Sequence, residues 1–358
     1  MQDGPHPWAS FPEEVTFVTT ATDLPLPRLT GGGADFARRG GQLRVSFTPR
    51  CQLGCWFCHN EGEIPPRITH HDRAIQPRPR AMTADGFLTA INTMTAAGIQ
   101  RVFFTGGEPL LSPLARPVME GIPAHDPGRY TTTLITNGLT LTRDLHWLAA
   151  TSLDRIKVSL HYFSDESIAA IAEGKPGDIA TIKAGIEAAV RVIPAVELNL
   201  LLQQQNAHEV HDIIAYAQQA GIGLQIIELV GTGHNAGLGE TIPSAGISAW
   251  LRTVASREQV ITSGTGQGKR VFTVDPVTIE VIDAGLGRHH VGQCRACPAR
   301  PRCTEGFWAL RLDSAGTLAP CMLRPDLRLD ITRHASDSAA LTAAVSAHLD
   351  AFDEGSLP

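Results

Sequence analysis

The sequence predicts an α/β protein: a partial (β/α)6 TIM-like barrel followed by a small C-terminal α+β domain. Three observations predict it. Short runs rich in β-branched residues alternate with longer amphipathic stretches between residues 43 and 230. Such alternation implies parallel strands joined by right-handed crossovers. After Val230 the pattern changes, and Gly231, Gly233, Gly237 and Gly239 open a segment of different texture. The expected organisation is an arm over 1–40, a barrel over 41–230 and a C-terminal extension over 231–358.

The arm is rich in Pro and Gly, ends in Gly31-Gly32-Gly33 and Gly40-Gly41, and reads as irregular. Strands are expected at Leu43–Thr48, Arg101–Phe104, Thr131–Ile135, Arg155–Leu160, Ala195–Leu202 and Leu224–Leu229. Helices are expected between them, at Thr83–Ala97, Leu111–Gly121, Arg143–Ala150, Asp178–Val192 and Glu209–Ala220. Six such units are too few to close an eight-stranded barrel, so the barrel is open, with its chemistry at the C-terminal strand ends. His59–Met82 has no helical or strand period and holds four prolines and the pair His70-His71; such a loop is a lid or disordered. Beyond residue 240 the expectations are a helix over Ser244–Ser256 and a hairpin of Arg270–Val274 with Thr278–Ile282. A second hairpin of Ala309–Asp313 with Thr317–Cys321 and a last helix over Asp337–Phe352 complete them.

Composition excludes several classes. With 358 residues and 43% hydrophobic side chains the chain is not disordered. A net charge of −6 argues against a nucleic-acid binder. No apolar run approaches the roughly 18 residues that span a bilayer, so no membrane association is expected. Met1–Ser10 lacks a charged-then-apolar leader, which points to the cytoplasm.

The seven cysteines are not scattered. Cys51, Cys55 and Cys58 form C-x3-C-x2-C just after the first strand. Zinc ribbons use C-x2-C pairs and four ligands, and disulfides need an oxidising compartment. Three thiolates on one tight loop fit a [4Fe–4S] cluster with one iron left open. Cys294, Cys297, Cys303 and Cys321 supply four thiolates. Spacing alone favours zinc there; the company of the first set favours a second [4Fe–4S] cluster. The sets use every cysteine, so no spare thiol is left as a nucleophile or hydrogen donor.

The C-x3-C-x2-C loop, with Phe57 before its third cysteine, and Gly106-Gly107-Glu108-Pro109 after the second strand together resemble the radical S-adenosylmethionine (radical SAM) superfamily. The segments LRVSFTPRCQLGCWFC, FFTGGEPLL, LITNG, IKVSL, VELNLLLQQQNAHE and LQIIELV, in that order, look like the molybdenum-cofactor GTP 3',8-cyclase family. ALRLDSAGTLAPCM (309–322) looks like its approach to the last cluster cysteine. The resemblance implies S-adenosylmethionine on the open iron of the first cluster. Gly106, Gly107 and Glu108 would face its methionyl ammonium. Thr136, Asn137, Ser159 and Asn199, with Phe57 and Ile227, would contact the rest of the cofactor. A one-electron donor such as flavodoxin or ferredoxin is implied as a partner.

The departures bear on the substrate. The family carries a basic residue where Gln225 stands, another where Ser112 and Pro113 stand, and an arginine-rich segment where Phe307-Trp308-Ala309 stands. It binds its second cluster through three cysteines, and here four are available. Charge-assisted contacts contribute about 1.5–3 kcal/mol each, so their loss disfavours a triphosphate. The expected substrate is a small polar nucleoside or sugar, processed for example by decarboxylation or rearrangement as in natural-product relatives; the alternative is GTP cyclisation. Arg44, Arg50 and Arg311 are candidate anion contacts, and His59, Asn60 and Glu61 candidate substrate contacts. His161 and Tyr162, after the fourth strand, are candidate donors of a proton or hydrogen atom. A zinc-stabilised binding protein is the alternative outside enzymes.

Overall fold

The computed structural model describes residues 28–62, 82–230, 242–262 and 267–357. In chain order the first part runs α1 (Gly31–Arg38), β1 (Gln42–Ser46), α2 (Ala84–Ala96), β2 (Arg101–Thr105), α3 (Ala115–Gly121), β3 (Thr131–Thr136) and α4 (Leu141–Leu148). It continues with β4 (Arg155–Ser159), α5 (Asp165–Ala172), α6 (Asp178–Val190), β5 (Ala195–Leu201), α7 (Val210–Ala220) and β6 (Gly223–Ile227). The remainder comprises α8 (Ala245–Val254), β7 (Arg257–Ile261), β8 (Lys269–Val274), β9 (Val277–Ile282), β10 (Ala309–Leu312), β11 (Thr317–Ala319), β12 (Leu329–Asp330) and α9 (Ser338–Glu354).

Strands β1 to β6 lie side by side and parallel, as the β/α alternation predicts. The sheet does not stop at residue 230. β9 pairs parallel with β6 at one edge, and β10 pairs parallel with β1 at the other. The two C-terminal hairpins extend these edges into one 12-stranded sheet that runs from β12 to β7. Residues after 230 therefore flank the strand that precedes the first cysteine loop.

Alternation along the strands separates two faces. Leu43 and Val45, Val102 and Phe104, Ile156 and Val158, Leu198 and Leu200, and Leu224 and Ile226 are all buried in the main apolar core under the helices. The intervening positions form lateral rows on the other face. Arg311, Arg44, Phe103, Thr133 and Arg155 are successive register partners across β10, β1, β2, β3 and β4. Ser159, Asn199, Gln225 and Glu280 form a second row across β4, β5, β6 and β9. The barrel is thus apolar under its helices and polar inside.

Four elements differ from the sequence reading, and two of them, the short strands β7 and β12, extend the sheet edges. Residues 31–38 of the expected irregular arm form α1. Its glycines allow close approach to α9: a Cβ on Gly31 would stand 2.1 Å from Asp350 Oδ1, and one on Gly32 2.9 Å from the Leu349 carbonyl. Phe36 stacks on Phe307 at 4.7 Å, and Phe307 packs on Phe352 at 4.5 Å, so tertiary burial overrides the poor helix propensity of glycine. Helix α5 was also unexpected. It is one short stretch started by a Ser164–Ser167 capping box and stopped by Glu173 in the left-handed region. Among the described residues no helix is long and apolar enough to cross a membrane.

Candidate active site

The first cysteine loop leaves the C-terminal end of β1. Its backbone is fastened to the last turn of α5, where Gly54 N donates to the Ala172 carbonyl (2.8 Å) and Trp56 N to that of Ile171 (3.2 Å). Cys58 N donates to the Cys55 carbonyl at 3.1 Å, which closes a turn over residues 55–58. Cys51 Sγ accepts from Leu53 N at 3.4 Å and from Asn137 Nδ2 at 3.5 Å. Burial pushes the Cys51 thiol up to about 12 and raises the Cys55 and Cys58 thiols as well. The Cys55 thiol is raised further by its neighbours Cys58 and Cys51. Three thiols this close and this buried ionise together only beside a strong positive charge. The donor set fits an iron–sulfur cluster.

The glycine turn after β2 packs on the same loop. Gly107 N donates to the Thr48 carbonyl at 2.6 Å, and Glu108 N to that of Arg50 at 2.7 Å. A Cβ on Gly107 would stand 2.2 Å from the Arg50 carbonyl oxygen, so only glycine fits there. Gly106 lies at φ +138°, where other residues are strained. Glu108 is fully buried. Its Oε1 accepts from Thr136 Oγ1 (2.8 Å) and Leu110 N (3.1 Å), and its Oε2 from Asn137 N (2.8 Å). Burial raises its carboxyl to about 7 against those three hydrogen bonds. Glu108 thus ties the end of β2 to the end of β3, and so to Asn137 and Cys51.

The remaining cofactor candidates lie along neighbouring strand ends. Ser159 and Asn199 are register partners at the ends of β4 and β5. Asn199 Oδ1 is buried with no hydrogen-bond partner, which marks a place for a donor from outside the chain. Ile227 ends β6, and its carbonyl accepts from Leu202 N at 2.9 Å. Phe57 packs edge-on against Trp56 (5.7 Å) and His161 (5.1 Å).

The candidate donors His161 and Tyr162 are both buried. Tyr162 is 1% exposed and belongs to the apolar core. Burial raises its phenol well above the ordinary value, so it keeps its proton. His161 Nδ1 accepts from Leu201 N at 2.9 Å, and burial pushes the ring down to about 4, which makes it a neutral packing acceptor. Tyr162 is closed into the core and His161 is held by the β5 backbone.

Arg44, Arg311 and Glu61 also differ from expectation. Arg44 and Arg311 were candidate anion contacts, but both spend their charge inside the protein. Arg44 Nε donates to Glu61 Oε1 (2.9 Å) and Oε2 (3.0 Å), and its Nη2 also pairs with Glu61. Arg311 pairs through Nε with Glu61 Oε2 at 3.2 Å and through Nη2 with Glu305 Oε2 at 3.0 Å. Burial alone would raise the Glu61 carboxyl, yet the two guanidiniums hold it well below the usual carboxylate range. Trp308 donates to Glu305 Oε2 at 3.1 Å and lies under Arg311 (5.1 Å) and Arg44 (5.6 Å). Asn60 and Glu61 adopt φ values of 44° and 51°, and Asn60 Nδ2 donates to the Pro49 carbonyl at 3.0 Å. His59 Nδ1 accepts from Glu61 N at 3.2 Å, and burial lowers the ring's proton affinity.

The second cysteine set comes from two segments: Cys294, Cys297 and Cys303 lie between β9 and β10, and Cys321 follows β11. Burial, with the neighbouring Cys321, Cys303 and Cys297, pushes the Cys294 thiol up to about 12. Arg324 Nη1 donates to Cys297 Sγ at 3.8 Å, and Leu323 N to Cys321 Sγ at 3.4 Å. Among the described residues no three His, Cys, Asp or Glu side chains converge tightly enough to grip a single ion. The His70-His71 pair lies outside the described residues.

Sequence reasoning missed Glu305 and Trp308, and missed a polar ladder on the inner face. Lys157 pairs with Glu197 (3.1 Å) and donates to Gln225 Oε1 (3.2 Å). Gln225 Nε2 donates to Glu280 Oε2 (3.0 Å), and Lys269 pairs with Glu280 (2.8 Å). The available signal was the polar residue recurring at every second position of IKVSL and VELNLL.

Residues 45–217 match the Radical SAM superfamily. A probable GTP 3',8-cyclase of Methanococcus maripaludis is 27% identical over 297 residues, covering 83% of this chain and 89% of its own. One of Methanosarcina mazei is 29% identical over 304 residues, covering 83% and 81% respectively. Among solved structures, Streptococcus suis SuiB bound to S-adenosylmethionine is similar with a TM-score of 0.58 at 12% identity. That match covers 87% of this chain and 65% of SuiB, so the chain spans just under two thirds of SuiB's length.

Proposed function

Because residues 45–217 belong to the radical SAM superfamily, we propose that the protein is a radical SAM enzyme acting on a small polar molecule on the inner face of the sheet. The observation that carries this reading is the single unit formed by the Cys51/Cys55/Cys58 loop and the glycine turn packed on it, with Gly107 N 2.6 Å from the Thr48 carbonyl. Cys51, Cys55 and Cys58 would hold a [4Fe–4S] cluster with S-adenosylmethionine bound beside it. The bound pair would supply radical chemistry able to abstract a hydrogen atom from the substrate. Gly106 and Gly107 bring backbone close to the methionyl group, and Asn199 Oδ1 accepts from the bound cofactor. Cys294, Cys297, Cys303 and Cys321 hold a second [4Fe–4S] cluster through four thiolates. The helices keep water from the apolar side, and the inner face orients the substrate. Seven free cysteines suit a reducing cytoplasm and a one-electron donor such as flavodoxin or ferredoxin.

Relatives named GTP 3',8-cyclase support GTP as the substrate and cyclisation as the reaction. One observation favours a second reading, a less anionic nucleoside or sugar. Among the described residues Arg44, Arg311, Arg155, Lys157 and Lys269 on the inner face each pair with Glu61, Glu305, Glu197 or Glu280. Paired cations attract a triphosphate less than free ones. The deciding experiment incubates the reduced, reconstituted protein with S-adenosylmethionine and GTP, and in parallel with uncharged nucleosides. Efficient conversion of GTP to a cyclised product establishes the first reading. Turnover with nucleosides and none with GTP establishes the second.

A further inference from the structure

Two cysteine sets far apart in sequence are joined by one buried side chain. Glu61 lies three residues after Cys58, and Glu305 two residues after Cys303. Arg311 pairs with both, at 3.2 Å and 3.0 Å. The side chains of Arg311 and Glu61 are each 5% exposed, and that of Glu305 is 7% exposed. The link is charge-balanced: Arg44 and Arg311 face Glu61 and Glu305. The clamp holds Glu61 at φ 51°, a left-handed backbone that residues other than glycine and asparagine adopt at a cost. Trp308 covers both guanidiniums and bonds Glu305, keeping water out.

We propose that Arg311 is a positioning residue that couples the two cysteine centres, so that the state of the second centre sets the conformation of the loop carrying the first. Movement of the Cys303 segment moves Glu305, then Arg311, then the left-handed turn behind Cys58. Buried ion pairs transmit such displacement because leaving either partner alone is costly. The inference rests on the reading that both sets hold iron–sulfur clusters.

The test uses the full chain, reconstituted anaerobically. Cys297→Ser with Cys321→Ser empties the second centre. The readouts are iron and sulfide content and the paramagnetic resonance spectrum and midpoint potential of the first centre. In the otherwise unchanged chain, emptying the second centre shifts the spectrum and potential of the first. In an Arg311→Met background the same change produces no further shift, and Arg311→Lys restores part of the response. Glu305→Gln, which cuts only the distal half of the link, gives the same loss of response and serves if Arg311→Met does not fold. Spectra of the first centre that ignore the second, or equal shifts in both backgrounds, overturn the coupling. Iron missing from either set of the unmodified protein overturns the cluster reading and the coupling with it.

Discussion

Arg311 on β10 pairs with Glu61, just beyond the first cysteine loop, at 3.2 Å between Nε and Oε2. Glu61 is shared with Arg44 on β1, the register partner of Arg311. A C-terminal strand thereby buttresses an N-terminal loop. Glu61→Gln removes the negative charge between two buried guanidiniums. Removing one partner of a buried ion pair costs about 3–5 kcal/mol. We expect a lower denaturation midpoint with an unchanged dependence on denaturant. A variant within about 0.5 kcal/mol of the parent, the range usual for surface positions, would show that the network contributes nothing to stability.

Gly107→Ala places a methyl group 2.2 Å from the Arg50 carbonyl oxygen. The cysteine loop has to shift to admit it. Overpacking of this kind costs about 1–3 kcal/mol. We expect iron bound by the first cysteine set to fall by half or more, an order-of-magnitude figure that follows from that cost, while the second set stays loaded. Selective loss of one spectroscopic centre checks it; full loading of both would contradict it.

Glu108 carries the opposite pH signature from a salt-bridged carboxylate. Its folded pKa is raised from 4.5 to about 7, so the folded chain holds a proton that the unfolded chain has released. Its contribution to stability is complete below 4.5 and is lost as pH rises through about 7. The difference in thermal midpoint between the parent and Glu108→Gln should therefore change between pH 5.5 and pH 8, roughly the span of this titration, with the parent losing ground as pH rises. Parallel profiles would show that Glu108 is ionised throughout.

Gln225 sits between Lys157 and Glu280 on the inner face. Gln225→Lys adds a cation where a neutral amide now bridges the ladder. If charge pairing limits triphosphate binding, GTP should bind about tenfold tighter to the variant, which corresponds to one charge-assisted contact. Titration calorimetry on the reconstituted protein measures this. Unchanged GTP affinity would remove Gln225 from the determinants of substrate choice.

The strand order was legible where the physics is local. Valine, isoleucine and leucine at alternate positions of β1, β4, β5 and β6 announce strands covered on one side. What stayed hidden is long-range. Nothing near Gly31 foretells that its backbone must lie against Asp350. Arg44 and Arg311 looked like free cations because their partners, Glu61 and Glu305, are brought to them only by the closing of β10 onto β1. Tyr162 looked like a donor from its place after β4, and the packing of the core made it a buried ring.

The central claim is that the Cys51/Cys55/Cys58 loop and the turn at Gly107 make one radical-forming site. Its most direct test is the release of 5'-deoxyadenosine when the reconstituted protein is reduced in the presence of S-adenosylmethionine. We predict release by the parent, and none by Cys55→Ala even though its second cysteine set still carries iron. An iron-loaded parent that releases no 5'-deoxyadenosine, or a Cys55→Ala variant that releases as much as the parent, would contradict the account.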